Sequence, residues 1–159
     1  MRRGSLVQAS PVVADASVLI AFSETELLDL LKLQFRYLIV PPAVVREVTP
    51  ALGGIPDWIA EIRPSRIHEA VERLDAGERE ALSLAIELSA SRLLIDDLRG
   101  RRVAERLHVP IVGSVGILLA AKEQGHIDNV RTHMDAMRRS SLYLKDSVYV
   151  GILRAAGEA

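Results

Sequence analysis

The feature that most constrains this chain is the run Val12-Val13-Ala14-Asp15-Ala16-Ser17-Val18-Leu19-Ile20, an apolar stretch with one carboxylate at its centre. A carboxylate is costly to remove from water unless something pairs with it. A short β-branched run that meets an acid predicts a buried strand with Asp15 at its carboxyl end. Open α/β sheets bind ligands at that end of their strands. Asp15 is therefore the first candidate site residue. The competing reading is a helix N-cap, because an acid before Ala16-Ser17-Val18 can cap the helix that follows.

The rest of the chain repeats this alternation. After the strand from Pro11 to Ala14, helices are predicted from Ser17 to Ser23 and, by their apolar spacing, from Glu24 to Leu33. Phe35 to Val40 reads as the second strand, which Pro41-Pro42 stops, and Pro42 opens a helix through Val48. Thr49 to Pro56 holds two prolines and two glycines and is expected to be a loop. Trp58 to Arg63 is a short edge strand. Asp75-Ala76-Gly77-Glu78 has the spacing of a capping box at the head of a helix through about Ser89. Leu93 to Ile95 and Val109 to Val112 are strands, with a basic helix from Gly100 to Leu107 between them. Gly113-Ser114 caps a helix through Lys122, and two amphipathic helices span residues 128–139 and 145–155. Alternating strands and helices imply an α/β fold: three layers, α/β/α, around a mostly parallel sheet covered on both faces. The expected organisation is an arm over residues 1–10, the alternating body over 11–127, and C-terminal helices over 128–159 packed on the same domain.

Composition closes off several classes. At 159 residues the chain suits one sizeable core. Its net charge of −1 gives no global basic field, so nucleic-acid binding requires a local patch. Without cysteine there is no disulfide and no thiolate metal site, which fits a reducing compartment. Asp15 interrupts the apolar run after Arg2-Arg3, and no run is long enough to span a bilayer. The expected address is the cytoplasm, with no membrane.

Several acids fall where such a sheet would gather them. Asp15 ends the first strand, and Asp96-Asp97 end a later one. Glu47 lies on the helix after the second strand, and Glu78 opens the long helix, with Glu80 beside it. Carboxylates meeting at one sheet edge repel, and at least one then keeps its proton above its usual range. A divalent cation removes that penalty. Oxygen ligands without sulfur point to a hard ion, Mg2+ or Mn2+. Each acid also has a plainer reading: a cap for Asp15 and for Asp96-Asp97, a solvated helix position for Glu47 and Glu80, a capping box for Glu78.

Arg99, Arg102 and Arg106 share i+3/i+4 spacing on the helix after Asp96-Asp97 and could contact phosphates, whereas Arg101 falls off that face. A solvated helix face is the alternative. Aromatic residues make up only 4%, so base stacking has little material, and Trp58 is the one aromatic considered for it. His68, His108, His126 and His133 lack metal-ligand spacing, and Arg138-Arg139 reads as surface. Leu27, Leu28, Leu30 and Leu31 offer apolar surface for a homodimer or a partner groove, with core burial as the competing reading.

In order, Val-Val-Ala-Asp15-Ala-Ser17, Pro-Pro-Ala-Val-Val-Arg-Glu47-Val, Leu-Asp-Ala-Gly-Glu78-Arg-Glu, Leu-Leu-Ile-Asp96-Asp97-Leu-Arg-Gly-Arg-Arg and Val-Gly113-Ser114-Val-Gly resemble the PIN domain. More narrowly they resemble a prokaryotic subfamily related to VapC-type toxins. The resemblance implies a Mg2+- or Mn2+-dependent ribonuclease with Asp15, Glu47, Glu78 and Asp96 as the acidic metal cluster and Asp97 as a neighbour that shares the last role. It implies that Ser17 holds a metal water and that Ser114 is the hydroxyl residue after the last strand, for which a plain N-cap is the alternative. It also implies an RNA substrate and a small antitoxin partner. The toxin pattern has Asp where this chain has Glu78 and Glu80. Two other classes compete: a non-catalytic PIN scaffold for protein or RNA binding, and an aspartyl-phosphate phosphotransfer domain. The latter lacks the Asp-x-Asp of such phosphatases, because Ala16-Ser17 follows Asp15. It also lacks a receiver domain's lysine, because Gly113-Ser114 stands there.

Overall fold

The computed structural model describes residues 10–159. The arm expected over residues 1–10 lies outside them except for Ser10. Five strands form one wholly parallel sheet: β1 (Val12–Ala14), β2 (Leu38–Val40), β3 (Ile59–Glu61), β4 (Arg92–Leu94) and β5 (Ile111–Val112), in the order β3-β2-β1-β4-β5. Eight α-helices flank the sheet among the described residues: α1 (Ala16–Glu24), α2 (Leu28–Phe35), α3 (Pro42–Leu52), α4 (Ala76–Glu87), α5 (Leu98–Arg106), α6 (Ser114–Glu123), α7 (Arg131–Ser140) and α8 (Asp146–Ala155). The expected three-layer α/β/α architecture is the one observed.

The strand order places the site. The chain moves outward from β1 to β3 on one side, then returns to lay β4 and β5 on the other. The order therefore reverses between β1 and β4, where doubly wound sheets open a crevice beyond their strand ends. Ala14 pairs with Leu94, and the Asp15 N–H donates to the Leu94 carbonyl at 2.8 Å. The acids after β1 and β4 thus leave the sheet side by side. Val13, Ala14, Leu93, Leu94 and Ile95 beneath them are fully buried, so the sheet ends sit on a packed core.

Several boundaries move for local reasons. α3 continues through Pro50 to Leu52, so the loop expected from Thr49 starts only at Gly53, whose φ of 74° ends the helix. Proline removes one helical N–H, but the helix still closes its last turn through the Gly53 N–H to the Thr49 carbonyl at 2.8 Å. α2 begins at Leu28 rather than Glu24, because Thr25 and Glu26, the latter at φ 59°, end α1 first. It also runs on to Phe35, which shortens β2 to three residues. The capping box at Asp75 does not form: Asp75 holds the N-cap position without a side-chain bond, so Glu78 is not spent on the helix end.

At the other end of the chain, α7 and α8 pack on the core through Met134, Met137 and Leu153. Glu158 accepts hydrogen bonds from the N–H groups of Val130 and Arg131 and from Lys122. Desolvation opposes its charge, yet these donors hold its carboxyl down at about 2. No helix among the described residues is long and apolar enough to cross a membrane.

Candidate active site

Asp15 is the N-cap residue of α1 by position, but its side chain makes no capping bond. It is only 3% exposed. Its Oδ2 accepts from the Ser17 hydroxyl at 3.0 Å, while Oδ1 is buried and has no hydrogen-bond partner. Burial raises its pKa from 3.8 to about 6. The Ser17 hydroxyl opposes that rise and the Glu47 charge adds to it.

Glu47 and Asp15 meet beside a glycine. A Cβ at Gly77, in the first turn of α4, would lie 2.9 Å from Glu47 Oε1 and 3.8 Å from Asp15 Oδ1. The bare backbone there lets both carboxylates approach α4. The next residue, Glu78, is half-buried, and its carboxyl is pushed up to about 8. Burial is the main cause, followed by the charge and hydrogen bond of Asp97, then by Asp15 and Asp75. Glu80 is engaged elsewhere: its Oε1 accepts from the Ala43 N–H at 2.8 Å and so satisfies a free donor at the start of α3.

Asp96 and Asp97, adjacent in sequence, do different things. Both carboxylate oxygens of Asp96 accept from Ser114, Oδ1 from its N–H at 2.7 Å and Oδ2 from its hydroxyl at 2.6 Å. Asp96 thereby holds the N-terminus of α6, where the helix favours negative charge. Ser114 is fully buried and is the first residue of α6, with Gly113 as the N-cap. The Asp96 N–H donates to Ser17 Oγ at 3.0 Å, so Ser17 links the ends of β1 and β4 in one chain of hydrogen bonds to Asp15. Asp97 caps α5, accepting from the Gly100 N–H at 3.0 Å, and also faces Glu78.

The arginines divide between those that line the cleft and those that do not. The exposed Arg99 donates to the Arg73 carbonyl at 3.2 Å and does not line the cleft that holds Asp96. Arg101 and Arg102 line a cleft of about 980 Å³ that also holds Ser17, Asp96 and Asp97. Arg101 Nη1 donates to the Ile95 carbonyl at 2.9 Å. Arg101 falls off the helical face that the spacing of Arg99 and Arg102 suggests, and this bond across the strand end is what turns it into the site.

A Cβ at Gly113 would come within 2.7 Å of both Arg101 Nη1 and Asp96 Oδ1. Asp96 is tied to Ser114 and cannot yield freely. Gly113→Ala is therefore expected to cost about 1–3 kcal/mol in overpacking, read as a lower midpoint in urea with the slope unchanged. In sequence, the only hint of Gly77 and Gly113 is that each directly precedes a site residue.

The model of a family described as PIN domain (DUF3368) matches residues 11–158, nearly the whole described chain. The chain belongs to the PIN-domain family. PIN domains are generally nucleases, act on nucleic acids and typically use divalent metal ions. No curated protein matches the chain.

The acids of this PIN domain can be tested against such an ion. All donors are hard oxygens, as Mg2+ and Mn2+ prefer. The partnerless Asp15 Oδ1, with Glu47 on the same side of Gly77, is a buried acceptor that a cation would satisfy, and burial first, with the neighbouring acids adding to it, raises both the Asp15 and the Glu78 carboxyls. Among the described residues, however, no three acidic or imidazole side chains already stand as a ligand set. The residues fit the ion in chemistry and location without forming a finished cage.

Proposed function

We infer that this PIN domain is a divalent-cation-dependent ribonuclease. The observation that carries the reading is the buried Asp15 oxygen without a partner at the sheet's crossover, flanked by Glu47 and by a Glu78 that holds its proton near neutrality. Asp15, Glu47, Glu78 and Asp96 are the residues that would hold Mg2+ or Mn2+, which supplies a Lewis acid and a water of lowered pKa for phosphodiester hydrolysis.

The chain's own groups do the rest. Ser17 orients Asp15 and ties it to the end of β4. Ser114 fixes both oxygens of Asp96 and leaves each a second lone pair for a ligand. Burial first, and then the charge and hydrogen bond of Asp97, keep Glu78 protonated, and Glu78 would have to give up that proton to hold a cation. Arg101 and Arg102 bring positive charge to the phosphates beside the acids, and Arg99 adds to it from the first turn of the same helix.

Cleavage of single-stranded RNA in Mn2+, abolished by EDTA and by Asp15→Asn, tests the reading. Wild-type protein inert toward RNA in both Mg2+ and Mn2+ would sink it. Millimolar Mn2+ is also expected to raise the melting temperature, because the ion binds only the folded cluster. Gly77→Ala separates the site from the fold. Its Cβ displaces the free end of the exposed Glu47 side chain, while alanine suits the helix better by about 0.5–1 kcal/mol. Thermal melts over a Mn2+ series should show Gly77→Ala at least as stable as wild type without metal, and less stabilised by each metal concentration.

The likeness to VapC-type toxins extends the proposal to a toxin paired with a small antitoxin, acting as a cytoplasmic homodimer. In α2 and its approach, Leu30 and Leu31 are buried and Leu27 and Leu28 pack on the core, leaving Leu33 as the exposed leucine of that stretch. A short reading frame next to the gene, whose product suppresses the cleavage, is the expected sign of the pair.

A further inference from the structure

The cleft that starts at the acids continues well past them, and the hydrolytic chemistry does not use its far part. From Asp96 and Asp97 it runs between α1, α5 and α6 to the segment joining α7 and α8. Its walls are mostly aliphatic, supplied by Ile20, Val112, Leu119 and Leu142 among others. Tyr143 lines it and is 76% exposed, and Leu98 at the acidic end is 58% exposed. Arg101, Arg102 and Lys145 also line it, three cations in a chain whose net charge is −1.

We propose that this cleft binds the unpaired nucleotides next to the scissile phosphate, and that Tyr143 is the platform on which one base stacks. The proposal rests on the nuclease reading of the acids and adds to it where the bases that flank the cleaved bond lie and which side chain meets one of them. Apolar walls suit the faces of bases, and cations along the rim suit the phosphates between them. A peptide would also fill the aliphatic part, but nothing in an apolar peptide calls for three cations. A duplex keeps its bases stacked inside and cannot offer one to Tyr143. Trp58, the aromatic that composition brings forward, packs against the core and does not line the cleft. Tyr143 is inconspicuous in sequence, because a single tyrosine between two leucines looks like part of an amphipathic linker.

The test is binding of a fluorescent single-stranded RNA decamer in EDTA, so that no cleavage is needed. Tyr143→Ala is expected to raise Kd about tenfold, and Tyr143→Phe to leave it within about twofold. Trp58→Ala should not change it, and duplex RNA of the same sequence should bind at least about tenfold more weakly. An unchanged Kd for Tyr143→Ala overturns the proposal, as does equal affinity for duplex or no binding at all. So does a cleft in which Tyr143→Ala leaves RNA binding intact but abolishes capture of an apolar peptide. The two readings fail separately: Tyr143-dependent binding without cleavage in Mn2+ removes the nuclease and keeps the binding cleft. Cleavage indifferent to Tyr143 does the reverse.

Discussion

Asp15→Asn should remove RNA cleavage and, in the absence of metal, make the protein more stable. The two effects share one cause. Burial raises the Asp15 pKa from 3.8 to about 6, so the folded protein binds this proton more tightly than the unfolded chain does. Stability therefore falls as pH rises from about 4 to about 6 and stays low above that. A shift of this size corresponds to about 3 kcal/mol at neutral pH, with no discount for solvent because the group is buried. Asparagine keeps the shape and the acceptor for Ser17, and places a donor where Oδ1 stands, on the side of Gly77 that Glu47 Oε1 also approaches. With an imperfect new hydrogen bond, a gain of about 2 kcal/mol remains, or roughly 5 °C in melting temperature. The check is a pair of melting curves at pH 4.5 and 7 in EDTA. Wild type should lose stability between them more steeply than Asp15→Asn. A variant less stable than wild type at pH 7 would show that Asp15 is already satisfied without a cation.

Why Asp15 was legible from sequence, and its neighbours less so, follows from the kind of information each needs. A carboxylate inside an apolar run is visible one residue at a time, and strand alternation alone puts it at a sheet end; that Asp96 leaves the sheet beside it depends on β1 pairing with β4. The partition of the other acids depends on which oxygen reaches which donor. Glu78 and Glu80 stand two residues apart in α4, yet one faces Asp97 and the other caps α3 from a different direction. Linear spacing cannot tell them apart, because Ala43 is 37 positions away. Arg101 is the converse case. Helical spacing assigns it a face, but its long side chain reaches back to the Ile95 carbonyl and leaves that face. Boundaries moved where two local signals competed, as at Pro50, where α3 closes its last turn at Gly53 despite the missing N–H.

Asp96→Ala should change stability in the opposite direction from Asp15→Asn, although both remove one negative charge from the same crevice. Asp96 is not an acid waiting for a partner. Its two oxygens accept from the N–H and the hydroxyl of Ser114, at the positive end of α6. Alanine leaves both donors of a fully buried serine unsatisfied and removes the charge that the helix end favours. Two hydrogen bonds to an ionised acceptor, less some relief of repulsion from the neighbouring acids, make the loss about 3 kcal/mol. That corresponds to a fall of roughly 6–12 °C in melting temperature. Asp96→Asn, which can still accept from the Ser114 N–H, should lose about 1 kcal/mol. Both should cleave RNA far more slowly, because the oxygens offered to the cation are lost or no longer anionic. The sign decides between two pictures of the crevice. If it were only a cluster of mutually repelling carboxylates, removing any one would relieve it, and Asp96→Ala would melt higher than wild type. A lower melt for Asp96→Ala alongside a higher one for Asp15→Asn means that Ser114 holds one acid as scaffold while burial keeps the other under tension for a cation.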